Sequence, residues 1–297
     1  MKGYYDIVGD GGSDVVGQVE AQQASVVRSL SGVRQLLAIG SGKGGVGKST
    51  LTMQLACALR ELGNSVSILD ADLNGPSQAR LGAVQDRLLI PGESGARVPT
   101  TRSGIGVVSM GTLLPEPQAM EFESVASGAS HTWRATREFT LLTELLVCMD
   151  WGELDYLVVD LPPGAERIVQ YAELLGPRAQ FVLVTIPSDL ARGVVARSND
   201  ALRKTPNRIL GYVENMQGYY CPDCGRVKPL FPAQPQVKLE LACLGSVPFD
   251  PDLAALCDRG GFPSDTATPA SWKPVRRIAE EVCRRVAEPA TAPEERR

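Results

Sequence analysis

Three groups of residues in this chain have the types and spacing that chemistry needs. The first is Gly42-Lys43-Gly44-Gly45-Val46-Gly47-Lys48-Ser49, followed by Thr50, which fits the pattern G-x-x-x-x-G-K-S/T. Glycines in such a loop permit positive φ, so successive backbone N–H groups can converge on phosphate oxygens. Lys48 is expected to reach the β- and γ-phosphates, and the Ser49 hydroxyl to ligate Mg2+. Gly42, Gly44, Gly45, Val46, Gly47, Lys48, Ser49 and Thr50 are therefore read as a nucleotide-binding loop. The second group is Asp70, Asp72 and Asp160, acids at or just past the ends of apolar runs. Asp160 follows the most apolar run and reads as the carboxylate that holds Mg2+ directly or through water. Asp70 and Asp72 lie two apart, so on an extended backbone they face one side. One would position the attacking water and the other support the Mg2+ hydration shell; the spacing leaves the division open, and we assign the water to Asp72. Leu161-Pro162-Pro163-Gly164 follows Asp160 at once and has the make-up of a switch loop.

The third group is Cys221-Pro222-Asp223-Cys224. It supplies two thiolates, whereas a structural zinc or a cubane iron–sulfur cluster typically takes four ligands. Cys57, Cys148, Cys243, Cys257 and Cys283 lie in apolar surroundings and read as small buried hydrophobes. An isologous homodimer would complete a four-cysteine site from two copies of Cys221 and Cys224. Ligand type does not separate zinc from iron–sulfur. A redox pair is the weaker reading, because no helix start stands near Pro222 to stabilise a thiolate. Lys43 points to a second subunit too. Its ammonium beside Lys48 is repulsive unless polyphosphate is bound, so it is expected to turn away in the free monomer and reach a nucleotide across the interface. The plainer alternative is a solvent-exposed loop lysine.

Stepping outward, the elements that would carry these groups alternate along the chain. Apolar runs over 36–39, 65–70, 105–110, 156–160, 181–186, 208–213 and 244–247 read as strands, most of them continuous enough for a buried parallel sheet. Helical spacing follows the glycine loop and recurs over 138–149, 190–204, 251–257 and 273–287. The expected fold is a doubly wound, mostly parallel α/β sheet with helices on both faces. Ligands then sit beyond the carboxyl ends of the strands, where the glycine loop and the acids fall. Residues 1–32 are expected to form a polar segment and a helix capped by Ser13. Residues 33–287 would form the nucleotide-binding domain with a Cys-x-x-Cys insert near 219–226, and 288–297 a polar tail.

Composition narrows the function classes. A net charge of −4 carries no polyanion-binding signature, so nucleic acid is not an expected partner. No run approaches the ~20 apolar residues of a membrane span, so stable membrane insertion is not expected. Met1 to Asp6 contain no apolar signal core, and seven cysteines make no secreted disulfide framework. The cytoplasm is the expected compartment. The single histidine, His131, removes most histidine-based schemes and reads as a loop or helix-start residue.

The glycine loop with Lys43 inside it resembles the deviant Walker A loop of the ATPases that include septum-site, plasmid-partition and nitrogenase iron proteins. Within that class the chain resembles the Mrp-type iron–sulfur cluster carriers. The resemblance is carried by the loop, Asp70-Ala71-Asp72-Leu73-Asn74-Gly75-Pro76-Ser77, Asp160-Leu161-Pro162-Pro163-Gly164, Glu214-Asn215-Met216 and Cys221-Pro222-Asp223-Cys224-Gly225. It implies slow ATP hydrolysis at a dimer interface, with Lys43, Lys48 and Asp72 catalytic and Asn215 near the adenine. It also implies a 4Fe-4S cluster bridging a homodimer on Cys221 and Cys224, destined for apo iron–sulfur proteins. Ala165-Glu166-Arg167 departs from the family's usual Thr-Gly-Asp. The alternative is a positioning or partitioning ATPase with a structural zinc at the cysteines. For that alternative, Val275, Ile278, Ala279, Val282 and Val286 would form an interfacial stripe on the last helix.

Overall fold

The computed structural model describes residues 15–113, 131–231, 237–260 and 270–289. In chain order the elements are α1 (Val15–Ser29), β1 (Val33–Ser41), α2 (Lys48–Glu61), β2 (Val66–Asp70), α3 (Gln78–Leu81), β3 (Ala96–Arg97), β4 (Gly106–Val108), α4 (Met110–Leu113) and α5 (His131–Cys148). They continue as β5 (Met149–Asp150), β6 (Leu154–Asp160), α6 (Arg167–Leu175), β7 (Ala179–Thr185) and α7 (Asp189–Leu202). The last are β8 (Arg208–Cys221), β9 (Arg226–Lys228), β10 (Cys243–Phe249), α8 (Pro251–Arg259) and α9 (Trp272–Ala287). Ser13, the expected cap of α1, and Pro232 to Pro235 lie outside the described residues.

The main sheet runs β10-β8-β7-β1-β6-β2-β4 with every one of these neighbours parallel, and β9 adds antiparallel to β8. The doubly wound reading holds. Its continuous apolar strands split by alternation into two layers, because successive side chains leave opposite faces. Leu37, Ile39, Tyr156, Val158, Val182 and Val184 pack beneath α2 and α9. Leu36, Ala38, Leu157, Val159, Phe181 and Leu183 pack on the other face with residues of α1, α5, α6 and α7. The stripe on α9 is part of the first layer. Val275, Ile278, Ala279 and Val282 are all buried, so the interfacial-helix alternative loses the apolar face it needed.

Four expectations change in detail. The run 105–110 is a short strand followed by α4, since Met110 begins a helical turn. The strand begun at Arg208 continues to Cys221, so Cys221 ends it and Cys224 lies in the turn that follows. Cys148 and Cys243 are exposed, not buried, because they lie at the last residue of α5 and the first of β10. Asp70 and Asp72 do not share a side, for the reason given below. His131 is the first residue of α5.

Candidate functional site

Strand order decides what the acids meet. β2 and β6 are parallel neighbours, and their register pairs Asp70 with Asp160. Adjacent strands lie ~4.8 Å apart, so two buried carboxylates end side by side. Such a pair needs donors, and the surrounding loops supply them.

Asp160 is fully buried and takes an ion pair from the Lys48 ammonium. The same carboxylate accepts from Thr52 Oγ1 at 3.1 Å and from Gln78 Nε2 at 2.8 Å. Asp70 Oδ2 accepts from the backbone N–H of Ser77 at 2.8 Å and of Gln78 at 3.0 Å, and from Ser109 Oγ at 3.0 Å. Its Oδ1 accepts from the Asp72 N–H at 3.3 Å. Burial pushes the Asp70 carboxyl up to about 7, and the Asp160 charge adds to the effect against the pull of these donors. The chain turns at Ala71, whose N–H donates to the Asp160 carbonyl at 2.9 Å. Asp70 therefore stays inside holding the loop, while Asp72 is half-exposed and accepts from the Gly75 N–H at 3.1 Å.

The glycine loop joins β1 to α2. α2 begins at Lys48 with no side-chain cap, after Gly47 at φ 74. Its first N–H groups thus have no capping acceptor, which suits an anion. A side chain at Gly47 would press on the Asn215 amide, and one at Gly42 on Val194. Asn215 Nδ2 donates to the Val46 carbonyl at 2.8 Å, which fastens β8 to the loop. Gly44 and Gly45 are exposed and Lys43 is half-exposed at the rim. Among the described residues no carboxylate pairs with the Lys43 ammonium. The Thr50 side chain lies within hydrogen-bond reach of the Cys257 thiol.

A magnesium ion is implied by this loop type, and the donor set fits one. The Lys48 ammonium stands between the Ser49 hydroxyl, at 3.3 Å, and the Asp160 carboxylate. A cation is thus already accommodated where a hydroxyl and a carboxylate converge, the pairing Mg2+ takes beside a nucleotide.

The switch loop is laced to β1. Leu161 N–H donates to the Ile39 carbonyl at 3.1 Å and Gly164 N–H to the Ser41 carbonyl at 3.0 Å. The unusual Arg167 leaves this loop for α5, pairing with Glu138 at 2.5 Å and lying 5.8 Å above the Tyr171 ring. Tyr171 in turn donates to Glu138 at 3.1 Å. The missing acid of the switch is thus replaced by a cation that ties it to a helix.

At the far end of β8, Cys221 is buried and Cys224 exposed. The Gly225 N–H donates to the Cys221 carbonyl at 2.9 Å, and β9 returns with Cys221 opposite Arg226. The Cys224 backbone N–H, then its thiol, holds the Cys221 thiol below its ordinary range. All seven cysteines are free. The Asp223 carboxylate lies 4.0 Å from Cys221 Sγ, but among the described residues no group of three Cys, His, Asp or Glu is placed to hold a metal ion. Val227 and Leu230 beside it are exposed apolar side chains.

The sequence reading placed Lys48, Ser49, Asp160 and Asn215 at one site, and the structure brings them together. Thr52, Gln78 and Ser109 were missed; none belongs to a motif, and their only signal is a polar residue one turn or one loop from an acid.

The chain is 37% identical over 269 residues to the cytosolic Fe-S cluster assembly factor NUBP2 of Gallus gallus, covering 86% of this chain and 93% of that one. It is 34% identical to the iron-sulfur cluster carrier protein of Saccharolobus solfataricus, over 82% of this chain and 80% of that one. Its fold superposes on a nucleotide-binding protein of Archaeoglobus fulgidus solved with ADP, with a TM-score of 0.66, 29% identity, and coverage of 87% and 93%. Residues 32–286 match the ParA model described as the NUBPL iron-transfer P-loop NTPase, and the chain belongs to that family.

Proposed function

We propose that this protein is an ATP-hydrolysing carrier that holds an iron–sulfur cluster between two subunits and passes it to apo-proteins. The observation that carries the reading is strand β8. It holds Asn215 against the nucleotide loop and ends in Cys221, six residues and at most ~20 Å further on. A two-cysteine pair that belongs to no larger metal-binding group among the described residues, flanked by exposed Val227 and Leu230, favours completion by a second copy of the chain. The names of the relatives, cluster assembly factor and cluster carrier, agree with that cargo and with a cytosolic setting. No helix among the described residues is long and apolar enough to cross a membrane.

In this reading Ser49 and Asp160 hold Mg2+, which neutralises charge on the transferred phosphoryl group. Lys48 exchanges Asp160 for the β- and γ-phosphates, and loop N–H groups from Gly42 to Thr50 cradle them. Asp72, half-exposed at the mouth, orients the attacking water, while Asp70 supports the site by holding the loop. Lys43, without a carboxylate partner among the described residues, reaches the partner's nucleotide. Asn215 lines the base side of the loop. Cys221 and Cys224 of both subunits supply four thiolates to the cluster, which we read as a 4Fe-4S cubane.

The test is anaerobic reconstitution with iron and sulfide, followed by desalting and metal analysis. The expected product is a brown dimer with iron and acid-labile sulfide, and Cys221→Ser with Cys224→Ser should abolish both. A colourless protein that retains only zinc would overturn the reading.

A further inference from the structure

We propose that Gln78 is a positioning residue for the divalent cation of the nucleotide site. Its amide nitrogen would hold Asp160, and its amide oxygen would accept from a water of the hydrated cation. The inference rests on the nucleotide and Mg2+ reading above. Gln78 opens α3 and is fully buried, with Ala79 and Leu81 buried beside it. A polar side chain in such surroundings must be held by specific partners.

Its Nε2 lies 2.8 Å from Asp160 Oδ2 and 3.0 Å from the Ser49 carbonyl oxygen. Both partners can only accept, which fixes the amide with its nitrogen toward them. Oε1 is then turned to the remaining side, where it is buried and accepts no hydrogen bond among the described residues. Ser77 Oγ, the adjacent residue's hydroxyl, is likewise buried without a partner. Buried acceptors without donors are rare and costly. A hydrated cation between Ser49 and Asp160 brings donors to this place, because Mg2+ keeps several of its waters.

The backbone of Gln78 strengthens the case. Its N–H donates to Asp70 Oδ2 at 3.0 Å, so one residue spans both facing carboxylates. Lys48 and Thr52 take Asp160 Oδ1, whereas Gln78 takes Oδ2. The carboxylate plane therefore stays fixed while the cation at Oδ1 changes from ammonium to metal. Outer partners of metal ligands tune metal affinity by ~10–100-fold.

Binding of a fluorescent ribose-labelled ADP to the full chain, titrated with MgCl2 and repeated in EDTA, tests the proposal. Gln78→Met keeps the length and removes both polar atoms. It should raise the Mg2+ concentration for half-saturation by ~10-fold. Gln78→Asn keeps both polar atoms but draws them one methylene back from Asp160 and from the cation, so its half-saturation should rise as well. Circular dichroism checks that each variant is folded. Unchanged Mg2+ dependence in Gln78→Met overturns the proposal, as does a loss of affinity equal with and without Mg2+. If Gln78→Met does not fold, an unchanged or lowered half-saturation in Gln78→Asn overturns it. Absence of ADP binding by the unaltered protein would instead sink the nucleotide reading itself.

Discussion

Replacing Lys48 by methionine in nucleotide-free protein should cost ~3 kcal/mol of stability, and adding Asp160→Asn should restore most of it. The two side chains are 7% and 0% exposed, so solvent screens the pair little. Methionine keeps the bulk of the stem but leaves the Asp160 charge buried beside Asp70. Removing one member of a buried pair typically costs ~3–5 kcal/mol, because the other charge remains. Asp160 retains Thr52 at 3.1 Å and Gln78 at 2.8 Å, which puts the loss at the lower end of that range. At ~2–4 °C per kcal/mol, the melting temperature should drop by ~6–12 °C. In the double variant neither charge is left, so the loss should be under ~1 kcal/mol and the coupling ~2 kcal/mol or more. The assay is urea unfolding followed by circular dichroism on all four proteins of the cycle. EDTA is present and nucleotide absent, since bound nucleotide would add its own stabilisation. Additive losses, or a Lys48→Met protein within ~0.5 kcal/mol of the parent, would refute the ion pair as the resting state of the loop.

Two further outcomes follow from the same geometry. Asp70 titrates at about 7 when folded against an ordinary 3.8, so the folded state binds this proton more tightly than the unfolded chain. Its contribution is present in full below 3.8 and is lost as pH rises through about 7. The melting temperature of the nucleotide-free protein should fall across that window, and Asp70→Asn should flatten the slope; parallel profiles would remove Asp70 as its source. Gly47→Ala forces a side chain to φ 74 and into the Asn215 amide. It should cost ~1–3 kcal/mol and weaken labelled-ADP binding at least ~10-fold, and near-parental affinity would mean that Asn215 is not held to the loop as described.

What could be read from the sequence is what lies close together along it. The glycine loop, Lys48 and Ser49 are consecutive, and their surroundings are a strand before and a helix after, so a local pattern was enough. Asp160 was legible because it ends the most apolar strand. Asp70 was legible as an acid near a nucleotide, yet its position depends on β2 lying next to β6, which no local pattern states. Assuming an extended Asp70-Ala71-Asp72 put both acids on one side. The register instead buries Asp70 opposite Asp160 and sends only Asp72 outward. The exposed Cys148 and Cys243 went astray similarly, since apolar neighbours in sequence say little about a residue at the end of an element.

The missed donors share one physical origin. Once two parallel strands both end in acid, their carboxylates must meet unless the register shifts, and each then needs bonds from outside its own strand. Residues just beyond the neighbouring strand ends are the ones able to reach them. Ser77 and Gln78 follow β2, Ser109 follows β4, and Thr52 lies one turn into the helix after β1. Only Ser77 falls in a recognised motif, but all are polar residues at the same edge of the sheet. A sheet order postulated from the sequence would have marked them as candidates, because an acid pair at that edge cannot stay buried without them.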